Sequence, residues 1–238
     1  MRFLIFSVLF LLLFSNCEDT HSKKNNAAIK PVTIEEPEKK EKDTTEVTPA
    51  ETREFPKLTD ANAMEFFLQY EKEHKENKVR LTTDFGIIEI QLFNETKFHR
   101  ANFIYLTKQH YFDDTQFYRV VKDFIIQAGN SDNIEIAKKR NYIGEYLLPT
   151  DAKRGFKHER GVVSMPSSEI ENPHKLASPY EFFIVVPERG AHHLDGSYTI
   201  FGKVTRGMDV VDKISNVETD RAEWPLSNIY IKKVEIIN

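Results

Sequence analysis

The sequence predicts a mainly β protein built on a closed or nearly closed antiparallel barrel. Short apolar runs of strand length recur from Val79 to Asn238, and only two stretches in that region show helical periodicity. The region holds about 160 residues, a normal size for a single domain. The 238-residue chain is 40% hydrophobic, enough for one well-cored domain with an appendage. Its formal charge of -4, without a clustered basic face, excludes a strong field for nucleic acid. One cysteine, Cys17, excludes an intramolecular disulfide framework and a multi-cysteine zinc site.

Residues 1–16 read as a signal peptide. Arg2 is a minimal positive region, and the apolar run that follows is too short to span a bilayer comfortably. Phe14-Ser15-Asn16-Cys17 resembles the lipobox of bacterial lipoproteins, which implies cleavage before Cys17 and a lipid on it. Several acyl chains would hold the protein at a membrane of the cell envelope, with the outer membrane the expected one, on its periplasmic or surface side. The alternative is an ordinary secretory signal. Residues 17–56 are rich in Lys, Glu, Thr and Pro, a composition that cannot bury enough surface to offset ordering entropy, so a disordered tether is expected.

Residues 57–78 follow as a short helical extension. Thr59-Asp60 is the expected start, and Met64, Phe67 and Leu68 supply an apolar face for bracing the next domain. In "VRLTTDFGIIEIQLF" a turn at Asp84-Phe85-Gly86 separates two strands, and Ile88, Ile90 and Leu92 alternate toward the core. A helix is expected in "HRANFIYLTKQHYF". Residues 131–160 show no regular pattern. "GVVSM", "EFFIVV" and "YTIFGKV" read as strands, "GMDVVDKI" as a short helix and "NIYIKKVEII" as a closing strand.

The stretch "FYRVVKDFIIQAGN" places a guanidinium inside an apolar run. Alternation puts Phe117, Arg119 and Val121 on one face. A three-residue loop at Lys122-Asp123-Phe124 then sets Arg119 opposite Gln127 and Val121 opposite Ile125.

This stretch resembles the cyclophilin signature, and three more blocks follow in the same order: "KHERGVVSMP", "SPYEFFIVV" and "HLDGSYTIFGKVTRGMDVVDKI". The resemblance covers residues 79–238. It implies a cyclophilin-like, closed eight-stranded antiparallel barrel capped by two helices, with peptidyl-prolyl cis-trans isomerase activity on proline-containing polypeptides. By motif match Arg119 is the catalytic cation. Phe124, Ile125, Phe183, Leu194 and Tyr198 form the proline pocket, Gln127 binds substrate backbone, and Pro166 and Ser167 line the neighbouring groove. Such chemistry requires no cofactor, metal, nucleophile or general base. Rotation about an X-Pro bond is slow because amide resonance must be broken, and a site that prefers the twisted amide speeds it.

The departures from the family pattern also bear on function. Ile125 stands in place of Met, Tyr198 in place of His, and Ala128 and Asn130 alter a Gly-Gly-Asp ending. Glu181 replaces Gln and is a candidate partner for Arg119. His193, also counted in the substrate site, replaces Trp and predicts weak cyclosporin binding. These last two changes leave an alternative, a catalytically weak module that binds proline-containing segments. His192-His193 is not expected to bind metal, since adjacent strand residues face opposite ways and no HExxH pattern or cysteine partner accompanies them. No extra apolar patch declares itself, so a monomer is expected.

Overall fold

The computed structural model describes residues 53–167 and 172–238. The signal peptide, Cys17 and the tether up to residue 52 lie outside the described residues. Among those described, no helix is long and apolar enough to cross a membrane.

In chain order the elements are β1 (Leu58–Thr59), α1 (Ala63–Glu73), β2 (Lys78–Thr83), β3 (Gly86–Leu92), α2 (Lys97–Lys108), β4 (Thr115–Val121) and β5 (Ile125–Asn130). Then come α3 (Ile134–Ile143), β6 (Gly144–Glu145), β7 (Val162–Met165), β8 (Phe182–Val185), β9 (Thr199–Arg206), α4 (Met208–Ser215) and β10 (Tyr230–Ile236). Eight strands close an antiparallel barrel in the order β10-β2-β3-β9-β7-β8-β5-β4, and β10 pairs with β4 to shut it. The β2–β3 hairpin turns where the sequence predicts, and Ile88, Ile90 and Leu92 are buried.

Helix α2 is buried from His99 to Thr107 and carries Phe103 into the core, against Phe112, Phe182 and Phe201 at centroid distances of 4.6, 5.5 and 5.5 Å. Helix α4 buries Val210, Val211 and Ile214. A third helix of the domain, α3, falls in the segment that shows no pattern in the sequence. It buries only Ile136 and Ile143, so it has no apolar stripe to betray it, and the Asn133 side chain caps it by accepting from the Glu135 amide at 2.9 Å.

The helical extension begins later than Thr59-Asp60. Leu58–Thr59 instead forms β1, parallel to β6. The carboxylate of Asp60 accepts from the Leu147 amide at 2.8 Å, and α1 starts after Asn62. The helix packs on α2 through Phe66, Phe67 and Tyr70, whose rings lie 5.0, 5.9 and 5.4 Å from that of Tyr105. Arg100, 1% exposed, ties the two helices together: it donates to the His74 and Glu76 carbonyls at 3.2 Å and to Glu71 Oε1 at 3.0 Å.

Candidate active site

The β4–β5 hairpin has the expected register. Arg119 lies opposite Gln127 and Val121 opposite Ile125, with Asp123 at φ +56° in the connecting turn. One expectation fails, because Phe117 does not share the face of Arg119 and Val121. The register shifts between Phe117 and Arg119, so Phe117 enters the main core with Val120 while Tyr118 and Arg119 both reach the outer groove. A β-bulge supplies the extra residue that breaks the alternation and re-aims the side chains after it.

Beside Arg119 lies a second apolar cluster, separate from the main core. Ile125, Phe183, Val185, Val162, Ala191 and Ile200 form its floor, with Phe124, Leu194 and Tyr198 packed against them. Every proline-pocket residue named from the sequence is therefore brought together. The Phe183 and Tyr198 rings meet edge to face at 5.9 Å. His193 is exposed and stacks on Phe124 at 5.2 Å. It belongs to a 3-10 turn, His192–Leu194, and not to the strand expected from the sequence. Among the described residues, no group of three or more His, Cys, Asp or Glu side chains is placed to hold a metal.

The pocket wall is held from beneath. The buried His158 ring lies parallel to that of Phe183, with centroids 6.1 Å apart. The His158 amide donates to Asp195 Oδ1 at 2.8 Å, and the ring's Nδ1 lies 3.0 Å from the same oxygen. On the other side Nε2 is 3.2 Å from the Ser164 hydroxyl, which donates to the Thr199 carbonyl at 2.8 Å. Burial pushes the imidazole below its ordinary pKa despite the pull of Asp195. Burial raises Asp195 in turn, but the His158 amide, the His158 ring and Lys157 outweigh it and bring the carboxyl to about 2. The segment from Leu194 to Tyr198 is thus fastened to the barrel.

Next to the pocket runs a groove of 570 Å³, lined by Arg119, Gln127, Pro166, Ser167, Glu181 and Tyr198 from the sequence expectation. Tyr118, Asn130, Arg140, Ser178 and Trp224 also line it and were not anticipated. Gln127 accepts from Arg119 Nη1 at 3.4 Å and donates to the Tyr118 hydroxyl. The carboxylate on Arg119 is that of Glu223: Nε and Nη2 lie 2.8 and 2.6 Å from its Oε2. Glu181, the partner expected from the sequence, accepts from Asn130 at 3.3 Å. The site thus combines an apolar cluster, a cation beside it and an amide next to the cation.

The family profile described as cyclophilin type peptidyl-prolyl cis-trans isomerase/CLD matches residues 78–236. The chain is 36% identical over 169 residues to peptidyl-prolyl cis-trans isomerase-like 2 of Rhizopus delemar, covering 70% of this chain and 30% of that one. It is 34% identical over 145 residues to a peptidyl-prolyl cis-trans isomerase of Acinetobacter baylyi, covering 59% of this chain and 73% of that one. A crystal structure of a Cryptosporidium parvum cyclophilin type peptidyl-prolyl cis-trans isomerase superposes with a TM-score of 0.58 at 27% identity, over 68% of this chain and 98% of that one. The same protein in the presence of the dipeptide Ala-Pro gives 0.56 at 28% identity, over 68% and 99%. The chain belongs to the cyclophilin-type peptidyl-prolyl cis-trans isomerases.

Proposed function

We propose that the protein rotates X-Pro bonds in exported polypeptides from a lipid anchor in the bacterial cell envelope, acting as a monomer and assisting their folding. The observation that carries the catalytic part is the position of Arg119, paired across the hairpin with Gln127 at the rim of the Phe124, Ile125, Phe183, Leu194 and Tyr198 pocket. In this reading the pocket holds the proline ring and excludes water. The Gln127 side chain fixes the substrate backbone. A guanidinium N–H stabilises the prolyl nitrogen as its lone pair localises in the twisted amide. No bond is made or broken, so the residues act by binding the twisted state more tightly than the planar one.

The destination rests on Arg2, the apolar run after it and Cys17, and the work there on the slowness of proline isomerisation as a folding step. Two measurements test the reading. Exchange NMR on an X-Pro peptide should show acceleration by the wild type and a loss of about 100-fold or more in Arg119→Ala, as expected when a key transition-state donor is removed. Equal rates in the two proteins would refute the role of Arg119, and a folded wild type without acceleration would leave only peptide binding. For the anchor, labelled palmitate should enter the wild type and not Cys17→Ser; an unlabelled wild type would refute it.

A further inference from the structure

The carboxylate that faces Arg119, that of Glu223, comes from outside the barrel strands, in the connection between α4 and β10. Thr219 and Pro225 pair there as an isolated antiparallel bridge. Between them the Asp220 amide donates to the Trp224 carbonyl at 2.8 Å and the Glu223 amide to the Asp220 carbonyl at 3.1 Å. Asp220 Oδ1 also accepts from the Ala222 and Trp224 amides at 2.8 and 3.0 Å. The Val120 amide donates to the Glu223 carbonyl at 2.8 Å, fastening this turn to β4 one residue beyond Arg119. Glu223 itself is held at φ +67°, in the left-handed region that a residue with a Cβ seldom adopts. The turn's hydrogen bonds therefore hold the Glu223 backbone beside β4, within reach of Arg119 for its side chain.

Stability gives little reason for this arrangement. The side chains of Arg119 and Glu223 are 36% and 39% exposed, and such pairs contribute little to folding. The effect on the groove is larger. Its wall carries two cations, Arg119 and Arg140, and Glu181 as an anion. Glu223 brings the balance near Arg119 to neutral, removing the attraction that a lone guanidinium would offer an acidic peptide. Both Arg119 donors meet Oε2, so Oε1 takes neither of them. The next residue of the turn, Trp224, is 48% exposed, has its ring 5.9 Å from the Tyr118 ring, and lines the groove with a π face. A carboxylate and an exposed indole on consecutive residues of one turn favour a cation.

We infer that the turn from Glu218 to Leu226 is a specificity element, in which Glu223 and Trp224 select substrates with a lysine or arginine flanking the bound proline and disfavour acidic ones. The inference rests on the isomerase reading above and names the substrate class of that same groove. Glu223 is a positioning and specificity residue here, and Arg119 remains the catalytic one.

The test uses three peptides with one X-Pro core and Lys, Ala or Glu at the positions before X and after Pro. The full-length wild type, Glu223→Gln and Trp224→Ala are compared in kcat/KM by exchange NMR and in Kd by NMR titration, at low ionic strength. In the wild type the Lys peptide should exceed the Glu peptide about tenfold, the ratio a single well-placed charge can supply. Glu223→Gln should bring that ratio to within about twofold, and Trp224→Ala should weaken the Lys peptide more than the Ala peptide. Equal values for the three peptides in the wild type, or a ratio unchanged in Glu223→Gln, would overturn the inference. Should Glu223→Gln lose turnover on every peptide, the Kd ratio decides: its collapse supports the turn's role, and its persistence overturns it. A folded wild type that accelerates none of the peptides would sink the isomerase reading, while the Kd ratio would still test the turn.

Discussion

Acid should weaken this fold through one histidine. His99 on α2 is 1% exposed, and neither ring nitrogen has a hydrogen-bond partner among the described residues. Burial pushes its pKa down from 6.5 to about 4, against a smaller opposing pull from Asp151. The unfolded chain therefore takes up this proton first as the pH falls. Because the folded pKa lies below the unfolded one, the contribution is fully present above 6.5 and is lost as the pH drops toward 4. Linkage between those two values gives a loss of about 2 kcal/mol near pH 5 and a ceiling of about 3 kcal/mol.

The assay is urea denaturation at pH 7 and pH 5 for the wild type and for His99→Leu, which keeps the site filled and removes the titration. A difference of about 2 kcal/mol corresponds to a shift of about 1 M in the urea midpoint. The wild type should lose that much more than the variant between the two conditions. His158, which burial also depresses, and the paired carboxylates are common to both proteins and cancel in the comparison. Identical pH dependence in the two proteins would refute the reasoning, since it would mean that the imidazole is protonated in place at no cost.

Three further outcomes follow from packing and backbone geometry. Gly129→Ala should cost about 2–3 kcal/mol, since φ is +103° and a Cβ would sit 2.2 Å from the Tyr180 carbonyl oxygen; an unchanged urea midpoint would contradict this. Leu58→Ala should cost about 2–5 kcal/mol although it lies outside the matched family region, because Leu58 is fully buried and pairs with Gly144; thermal unfolding that is unaltered would show the extension to be unattached. Ser164→Ala should cost about 1–3 kcal/mol by leaving buried His158 Nε2 without its hydroxyl partner, and peptide affinity should weaken as the pocket wall loosens; a loss of affinity without any loss of stability would contradict the link.

Legibility in the sequence followed the range of the interaction. The β2–β3 and β4–β5 hairpins could be read because a period of two and a short turn fix register locally, and this placed Arg119 opposite Gln127, although the bulge at Tyr118 moved Phe117 to the other face. The pocket came from motif resemblance, which carries long-range information that local patterns lack. Helix α3 has only two buried residues, so no periodicity marked it, although Asn133 two residues before Glu135 was a readable cap. The β1–β6 pairing involves two residues on each side, too few for any pattern. Glu223 lies 104 residues from Arg119 in a segment without apolar rhythm, so nothing near either residue announced their contact. Trp224, the sole tryptophan, was visible as a residue but not as part of a groove.

The offset at Tyr118 shows how a barrel strand can serve core and groove at once. With strict alternation from Phe117, burying that ring would turn Arg119 inward as well, into a core that has no partner for its charge. The single-residue shift lets Phe117 stay 1% exposed while Arg119 turns outward to Gln127 and Glu223. The following residues resume the period, so Val120 returns to the main core and Val121 to the pocket cluster. The position of the guanidinium and its electrostatic surroundings are thus set by different means. The bulge fixes where it sits, and a turn tied to the next residue's amide, Val120 to Glu223, fixes what faces it. A side-chain substitution at Glu223 would therefore change what faces the guanidinium while leaving the Val120 amide its backbone partner.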